Sequence, residues 1–313
     1  MKLGSLFLLQ KQLTLLVLVL GVTFCTAQES YIIFDNQTGR ILESKNPDKK
    51  LPVASLTKIA TTVVALDWAE LHNINLADQM IIPLDATADG LANPIGLQPG
   101  DSLSIRDLIY CSLLASDNVS ANTLASNIGS RIPNPTGLAP RENFVSQMNA
   151  LARNLFMKRT LFLNPTGADH RTDMAKPYST AEDMARLTRH AMQKASFAFY
   201  VEQKSRQIHI LRNGTDYPHE IRNTNELLGR AGIDGVKTGR TKNAGDCLVL
   251  SSQQAPESRR EGEQVFITPR RISIVLLRSL DRFQDGWNFI HHGWKLYDAW
   301  ASEGRLVDPV DAL

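Results

Sequence analysis

The chain has 313 residues, of which 43% are hydrophobic and 21% charged, a composition typical of globular proteins and not of disordered ones. Its 34 Lys and Arg against 32 Asp and Glu leave a formal net charge of +2, which gives no argument for nucleic acid or an anionic membrane as the main partner. This length allows one large domain or two modest ones.

The first 27 residues have the organisation of a secretory signal peptide. Lys2 and Lys11 precede an apolar run over residues 13–24, and small residues then lead into a polar segment. We therefore predict cleavage after this segment and export to the periplasm or the extracellular space. Further apolar residues at positions 3–9 leave an uncleaved membrane anchor as the alternative, and only then would the chain contact a membrane.

Short strands are predicted at both ends of the chain and helices in the middle. The strands, rich in β-branched residues, are expected at residues 31–35, 40–43, 207–211, 236–239, 247–250 and 272–277. The amphipathic helices are expected at about residues 55–68, 104–115, 119–128, 142–156, 181–191 and 287–300. Residues 253–271 are polar and contain two prolines, which favours a long hairpin loop.

Two of these helices begin with a capping box. Ser104 and Ser179 are each followed three residues later by an acidic side chain, Asp107 or Glu182, so each serine is expected to cap its helix.

For the strands to form one sheet, the N-terminal hairpin must pair with the C-terminal strands. The order of elements therefore predicts an α+β fold, in which an antiparallel sheet formed by the N- and C-terminal strands is backed by helices, with a helical middle region. Since no linker-like composition occurs, residues 28–302 are expected to form one domain, followed by a short tail of residues 303–313.

Two cysteines follow the N-terminal segment, Cys111 and Cys247, and each lies in an apolar run. An oxidising compartment permits a disulfide, but a buried free thiol is the commoner state in such surroundings. Two cysteines make no zinc site, and the seven histidines show no metal-ligand spacing. We assign no metal and no cofactor.

The stretch Ser55-Leu56-Thr57-Lys58 places a hydroxyl and an amine three residues apart at the start of a predicted helix. Such positions share a helix face, so Lys58 can reach Ser55. A serine needs an adjacent base to act as a nucleophile, and an amine can be that base only if burial or a nearby cation lowers its pKa. In isolation, however, the motif favours a helix N-terminus with a solvated lysine.

Two further motifs follow in order. Ser116-Asp117-Asn118 lies between two predicted helices, and Lys237-Thr238-Gly239 lies on a predicted strand. Ser120-Ala121-Asn122 repeats the Ser-x-Asn pattern but is rejected because it lies inside a predicted helix. Three motifs in this order, on a helix start, an inter-helix loop and a strand, match the set that marks penicillin-binding proteins and class A β-lactamases.

The chain resembles the D-alanyl-D-alanine carboxypeptidase family of low-molecular-mass penicillin-binding proteins, from about residue 31 to residue 300. Four other stretches also match the family, and these are Leu97–Asp101, Phe162–Gly167, Tyr178–Met184 and Ala244–Leu248. The resemblance implies a β-lactamase/transpeptidase-like fold and an exported bacterial enzyme. It also implies peptidoglycan stem peptides ending in D-Ala-D-Ala as substrates and β-lactams as covalent inhibitors.

The resemblance further implies acyl transfer by a serine. Ser55 would attack the carbonyl carbon between two D-alanines with Lys58 as its base, forming an acyl-enzyme. Ser116 would pass a proton to the departing amine, and Asn118 would bond the substrate's amide. The oxyanion would be bound by the backbone N–H groups of Ser55 and Arg240.

The third motif is expected to bind substrate. Lys237 would add positive field, Thr238 would offer its hydroxyl to the substrate's terminal carboxylate, and Gly239 would let the substrate lie against the strand. Arg222 is a candidate for further carboxylate recognition because a guanidinium fork suits that geometry, although a surface arginine in a polar loop explains it equally well. The side chain of Arg240 could act similarly or point to solvent.

Two departures from the family pattern bear on the activity. Asp117 stands where glycine is usual and resembles the class A β-lactamases, but residues 160–164 lack their deacylating glutamate, so efficient β-lactam hydrolysis is not expected. The expected lack of a second domain and the stretch Arg222–Asn225 resemble the D,D-endopeptidase branch, which cleaves peptidoglycan cross-links. Carboxypeptidase is favoured as the commoner family activity. A non-catalytic peptidoglycan-binding protein would not need Ser55, Lys58 and Lys237 together.

Overall fold

A computed structural model of the chain describes residues 28–87, 92–169 and 176–313. The predicted signal peptide, residues 1–27, lies outside the described residues. Within them, no helix is both long enough and apolar enough to span a bilayer.

The described strands form two antiparallel sheets. They are β1 (Ser30–Asp35), β2 (Ile41–Lys45), β3 (Gln79–Ile81), β4 (Ser102–Ser104), β5 (Ser205–Arg212), β6 (Thr215–Arg222), β7 (Ile233–Thr241), β8 (Gly245–Glu261) and β9 (Gln264–Ser279). The larger sheet has the order β2-β1-β9-β8-β7. β1 therefore pairs directly with β9, which confirms the predicted union of the two chain ends in an α+β fold.

The described helices fill the middle of the chain and its end. They are α1 (Lys58–Leu71), α2 (Leu84–Thr87), α3 (Ile105–Leu113), α4 (Asn118–Gly129), α5 (Pro140–Asn154), α6 (Ala181–Gln193), α7 (Ala195–Val201) and α8 (Arg282–Ser302), with 3-10 turns at Ala54–Thr57 and Pro309–Asp311. α1 lies at the centre of the helical layer and contacts α3, α4, α5 and α6.

The larger sheet is covered on both faces, so the parts of its central strands that lie between the two covering layers are mainly apolar. Ile32 and Phe34 of β1 pack into the core that contains the middle helices. Ile33 points to the opposite face, as the two-residue period of a strand requires, and packs with Trp294 of α8. β7 forms one edge of this sheet.

The helix caps largely follow the sequence. Ser104 accepts a hydrogen bond from the backbone N–H of Asp107 and caps α3, as predicted. The cap of α6 is Thr180, one residue later than predicted, and it bonds the N–H of Asp183. Ser179 does not cap this helix because its backbone exchanges two hydrogen bonds with Leu51 and is therefore extended.

The predicted hairpin loop at residues 253–271 is wrong. β8 and β9 continue past the sheet as a two-stranded ribbon in which Glu261 pairs with Gln264. Most ribbon side chains are exposed on both faces, so no alternation of apolar and polar residues marks the strands. Pro256 lies in a bulge between Gln254 and Glu257, where proline removes no ladder hydrogen bond.

The smaller sheet has the order β3-β4-β5-β6, and only part of β5 is predicted from the sequence. The turn between β5 and β6 consists of Asn213 and Gly214, which have φ values of 50° and 78°. Positive φ at both central residues is the geometry of a type I′ hairpin turn, which the Asn-Gly pair favours. This turn signal in the sequence was missed.

The C-terminal segment contacts the rest of the domain. The backbone N–H of Leu313 donates to the carbonyl of Gly39, and Asp311 pairs with Arg40. The domain boundary at residue 302 stays a prediction. Cys111 and Cys247 are buried free thiols, which is the second of the two alternatives considered for them.

Candidate active site

Ser55 lies in the 3-10 turn that leads into α1, at the mouth of a cleft. The preceding Ala54 has a φ of 49°, a conformation that non-glycine residues rarely adopt. The turn thus holds the serine between the helical layer and the edge strand β7. Ser55 is partly exposed and lines the cleft, so a ligand there can reach it.

Lys58 is fully buried, directly beneath Ser55. Its Nζ lies 3.0 Å from Ser55 Oγ, 2.7 Å from Asn118 Oδ1 and 2.9 Å from the carbonyl oxygen of Thr166. Burial lowers the pKa of Lys58 to about 7, although the nearby carboxylate of Asp117 acts in the opposite direction. A neutral Lys58 can donate to Asn118 and Thr166 and direct its lone pair at the serine hydroxyl, as a general base requires.

The Ser116-Asp117-Asn118 motif forms the turn between α3 and α4. Ser116 has a φ of 58° and lines the cleft. Asp117 caps α4, because its Oδ1 accepts hydrogen bonds from the backbone N–H and the hydroxyl of Ser120 at 2.6 and 2.7 Å. The cap fixes the first residue of α4, Asn118, whose side chain bonds Lys58.

The Lys237-Thr238-Gly239 motif lies on the edge strand β7. Lys237 is buried, and its Nζ donates to the carbonyl of Thr238 at 3.1 Å. Burial, and then the charges of Lys58 and Arg282, hold the pKa of Lys237 well below its usual value. At Gly239, a Cβ atom would lie 3.0 Å from the backbone nitrogen of Ser55, so glycine allows β7 to pass this close to Ser55.

The carbonyl that bonds Lys58 is supplied by the loop before residue 170. Asn164 Oδ1 accepts hydrogen bonds from the backbone N–H groups of Thr166 and Gly167 and from the hydroxyl of Thr166. Gly167 has a φ of 75°, and a Cβ there would lie 1.8 Å from the carbonyl oxygen of Ala54. Only glycine fits at this point, which brings Thr166 against the start of α1.

The cleft has a volume of about 690 Å³ and collects most of the predicted residues. Ser55, Ser116, Asn118, Thr238, Gly239 and Arg240 all line it. Lys58 and Lys237 lie buried beside it. Arg222 does not line the cleft, since its side chain is 81% exposed at the end of β6 with Glu220 as its ion-pair partner.

Arg240 and Arg282 share one carboxylate at the edge of the cleft. Arg240 forms a bidentate pair with Asp246, whose pKa it lowers, while its side chain stays 67% exposed. Arg282, at the start of α8, donates to the carbonyl of Gly239 at 3.1 Å and lies 3.4 Å from Asp246. No sequence motif pointed to Arg282, because it approaches the cleft only when α8 packs on the sheet.

Thr224 and Thr166 were also missed. The hydroxyl of Thr224 lies 2.7 Å from that of Thr238 on the cleft wall. Both threonines lie in stretches that the sequence marked only as resembling the family, and that resemblance was the available signal. Across residues 28–87, 92–169 and 176–313, no group of His, Cys, Asp or Glu side chains is arranged to hold a metal ion.

The chain matches known proteins over most of its length. A family model described as D-alanyl-D-alanine carboxypeptidase matches residues 24–260. The D-alanyl-D-alanine carboxypeptidase DacF of Bacillus subtilis is 30% identical over 227 residues, which cover 72% of this chain and 54% of that protein. A D-alanyl-D-alanine endopeptidase of Pseudomonas aeruginosa is 31% identical over 226 residues, covering 72% of this chain and 66% of the relative.

The fold is similar to that of a solved enzyme. The crystal structure of the Streptomyces K15 DD-transpeptidase matches with a TM-score of 0.73 and 26% identity, covering 86% of this chain and 98% of that one. The chain spans between about half and two thirds of the length of the curated relatives named above, 54% and 66%.

Proposed function

Because the chain belongs to the D-alanyl-D-alanine carboxypeptidase family, we propose that it is a serine-type carboxypeptidase that removes the terminal D-alanine from peptidoglycan stem peptides. The observation that carries the proposal is the contact of 3.0 Å between Lys58 Nζ and Ser55 Oγ. A buried lysine whose pKa lies near 7 is a competent base for a serine that faces a cleft. The solvated lysine favoured for the isolated motif does not describe this residue.

In the proposed reaction, neutral Lys58 takes the proton of Ser55 as Oγ bonds the carbonyl carbon between the two D-alanines. The oxyanion is bound by the backbone N–H groups of Ser55 and Arg240. Ser116, which lines the cleft, transfers its proton to the departing amine and is reprotonated by the Lys58 ammonium, so the C–N bond breaks, D-alanine leaves and Lys58 is neutral again. Water then hydrolyses the ester on Ser55 and restores the free hydroxyl.

Substrate would bind along β7. None of the described strands pairs with the outer edge of β7, so an extended peptide can pair with it and follow Gly239 to Ser55. Asn118 also lines the cleft, where its side chain would bond the substrate's amide. The terminal carboxylate would meet the hydroxyl of Thr238 and the guanidinium of Arg282. Arg282 fits this role better than Arg222 because it lines the cleft.

Endopeptidase activity on peptidoglycan cross-links is the second candidate. The identity of 31% to the endopeptidase of Pseudomonas aeruginosa favours it specifically. The same catalytic residues serve both reactions, and the two differ in what occupies the leaving-group side of the cleft.

We propose that the enzyme acts outside the cytoplasm, with residues 1–27 as its export signal. The support is the arrangement of basic, apolar and small residues in that segment. The bacterial origin of the carboxypeptidase and endopeptidase relatives agrees with a role at the cell wall.

The test is covalent labelling with a fluorescent penicillin. Wild-type protein and Ser146→Ala, a matched change on the surface of α5, should be labelled, whereas Ser55→Ala should not. Equal labelling of Ser55→Ala, or none of wild type, would remove the serine-peptidase proposal. Release of D-alanine from a D-Ala-D-Ala peptide, compared with cleavage of cross-linked muropeptides, then ranks the two activities. Rapid turnover of a chromogenic cephalosporin would favour a β-lactamase instead.

A further inference from the structure

Asp117 is a buried carboxylate beside the catalytic residues that the proposed reaction does not use. It is 0% exposed and directly precedes Asn118, which bonds Lys58. One oxygen, Oδ1, caps α4 through Ser120. The other, Oδ2, is buried and has no partner at normal hydrogen-bond geometry among the described residues, although the backbone N–H of Ile95 faces the carboxylate.

The cap alone does not account for this second oxygen. Asparagine and serine cap helices as well as aspartate does, and neither brings a negative charge into the interior. Burying a carboxylate with an unsatisfied oxygen destabilises the fold, and more so when the group is charged. A carboxylate at this place therefore needs a partner for its charge.

The charged groups around Asp117 identify that partner. Asp117 is faced by Lys58 of α1, by the thiol of Cys111 on α3, and by the backbone N–H of Ile95. Lys58 is faced in turn by Lys237 of β7, which is a second cation. Asp117 is thus the negative group that acts on Lys58 in a site containing two lysines; burial raises the pKa of Asp117 itself, and the charge of Lys58 opposes that shift.

We propose that Asp117 is a positioning residue that acts through Lys58, holding Asn118 at the start of α4 and supplying the counter-charge for the Lys58 ammonium. The proposal rests on the proposed function, in which Lys58 is the base. The neutral amine is the reactive form, so a counter-charge that favours the ammonium raises the pH at which the base becomes active. Asp117 then sets the lower pH limit of acylation, against the opposite effects of burial and Lys237.

The experiment measures the rate of acylation by a fluorescent penicillin between pH 5 and 9. In Asp117→Asn, an amide oxygen keeps the helix cap while the charge is lost. The midpoint of the acid limb should move to lower pH by roughly one unit, the lower end of the effect of a nearby opposite charge. Asp117→Ser, which also keeps a cap, should shift the midpoint in the same direction if the asparagine variant folds poorly.

Asp183→Asn is the matched control, because Asp183 is also a buried carboxylate near a helix start but bonds Arg159 and Thr160 instead. Its acid limb should coincide with that of wild type. If the Asp117 variants lose rate equally at every pH and the midpoint stays, Asp117 is only a helix cap and the inference is wrong. Wild type that is not acylated at any pH refutes the proposed function instead.

Discussion

Replacing Lys58 by methionine should change how the stability of the protein depends on pH. Methionine has a similar length and no charge, so it keeps most of the packing under Ser55. In the folded wild type the pKa of Lys58 is about 7, lowered from 10.5 by burial. Between these values the unfolded chain binds more protons than the folded one, so the free energy of unfolding rises with pH. The variant lacks this contribution.

The magnitude follows from the pKa difference. One pKa unit corresponds to about 1.4 kcal/mol, so Lys58 opposes folding by roughly 4 kcal/mol at pH 7 and about 2 kcal/mol at pH 9. From pH 7 to pH 9, the free energy of unfolding of wild type should therefore rise by about 2 kcal/mol more than that of Lys58→Met. Removing Lys58 also takes away a charge that lowers the pKa of Lys237. The stability of the variant then depends even less on pH, which increases the difference from wild type. The acceptors on Asn118 and Thr166 that the variant leaves unpaired change its free energy of unfolding equally at both pH values, so their effect cancels in the comparison.

Urea unfolding of wild type and Lys58→Met at pH 7 and pH 9 measures how much the free energy of unfolding of each protein changes with pH. Lys49→Met is the control, since Lys49 is a surface lysine with a side chain 48% exposed, and it should leave the wild-type pH dependence unchanged. Equal pH dependence in wild type and Lys58→Met would refute the reasoning that burial depresses the lysine pKa. The same variant should lose roughly 10²- to 10⁴-fold in the rate of acylation, which is the contribution of a general base.

Two further predictions concern the cleft wall. Gly239→Ala places a methyl group 3.0 Å from the backbone nitrogen of Ser55. Acylation by penicillin should therefore slow by roughly 10²-fold, while the melting temperature changes little. An unchanged rate of acylation would contradict the close approach of β7 to Ser55. Arg282→Ala should raise the KM for a peptide ending in D-Ala-D-Ala, whereas Arg222→Ala should leave it within about two-fold, and the reverse order would reinstate Arg222 as the carboxylate ligand.

The helices and the central strands were predictable because each carries its own local sequence pattern. β1 and the core of β9 are apolar and rich in β-branched residues, and α3 begins at a serine cap. The ribbon at the end of β8 and β9 was not predictable in this way. In the ribbon, β8 and β9 pair through backbone hydrogen bonds while both faces of the strands are exposed. Hydrogen bonding and not burial therefore determines the structure there, and it leaves no pattern of apolar residues in the sequence.

The features of the candidate site also separate into those set by local sequence and those set by contacts between distant parts of the chain. The sequence by itself determined that Ser55 and Lys58 share a helix face, because covalent spacing decides it, and that Asn118 and Lys237 belong to the same set of motifs. Only the tertiary structure decided that Lys58 is buried against the carbonyl of Thr166, that Arg282 lines the cleft and that Arg222 does not. Those properties depend on contacts between parts of the chain far apart in sequence, and a buried or exposed environment is what sets the pKa of a lysine.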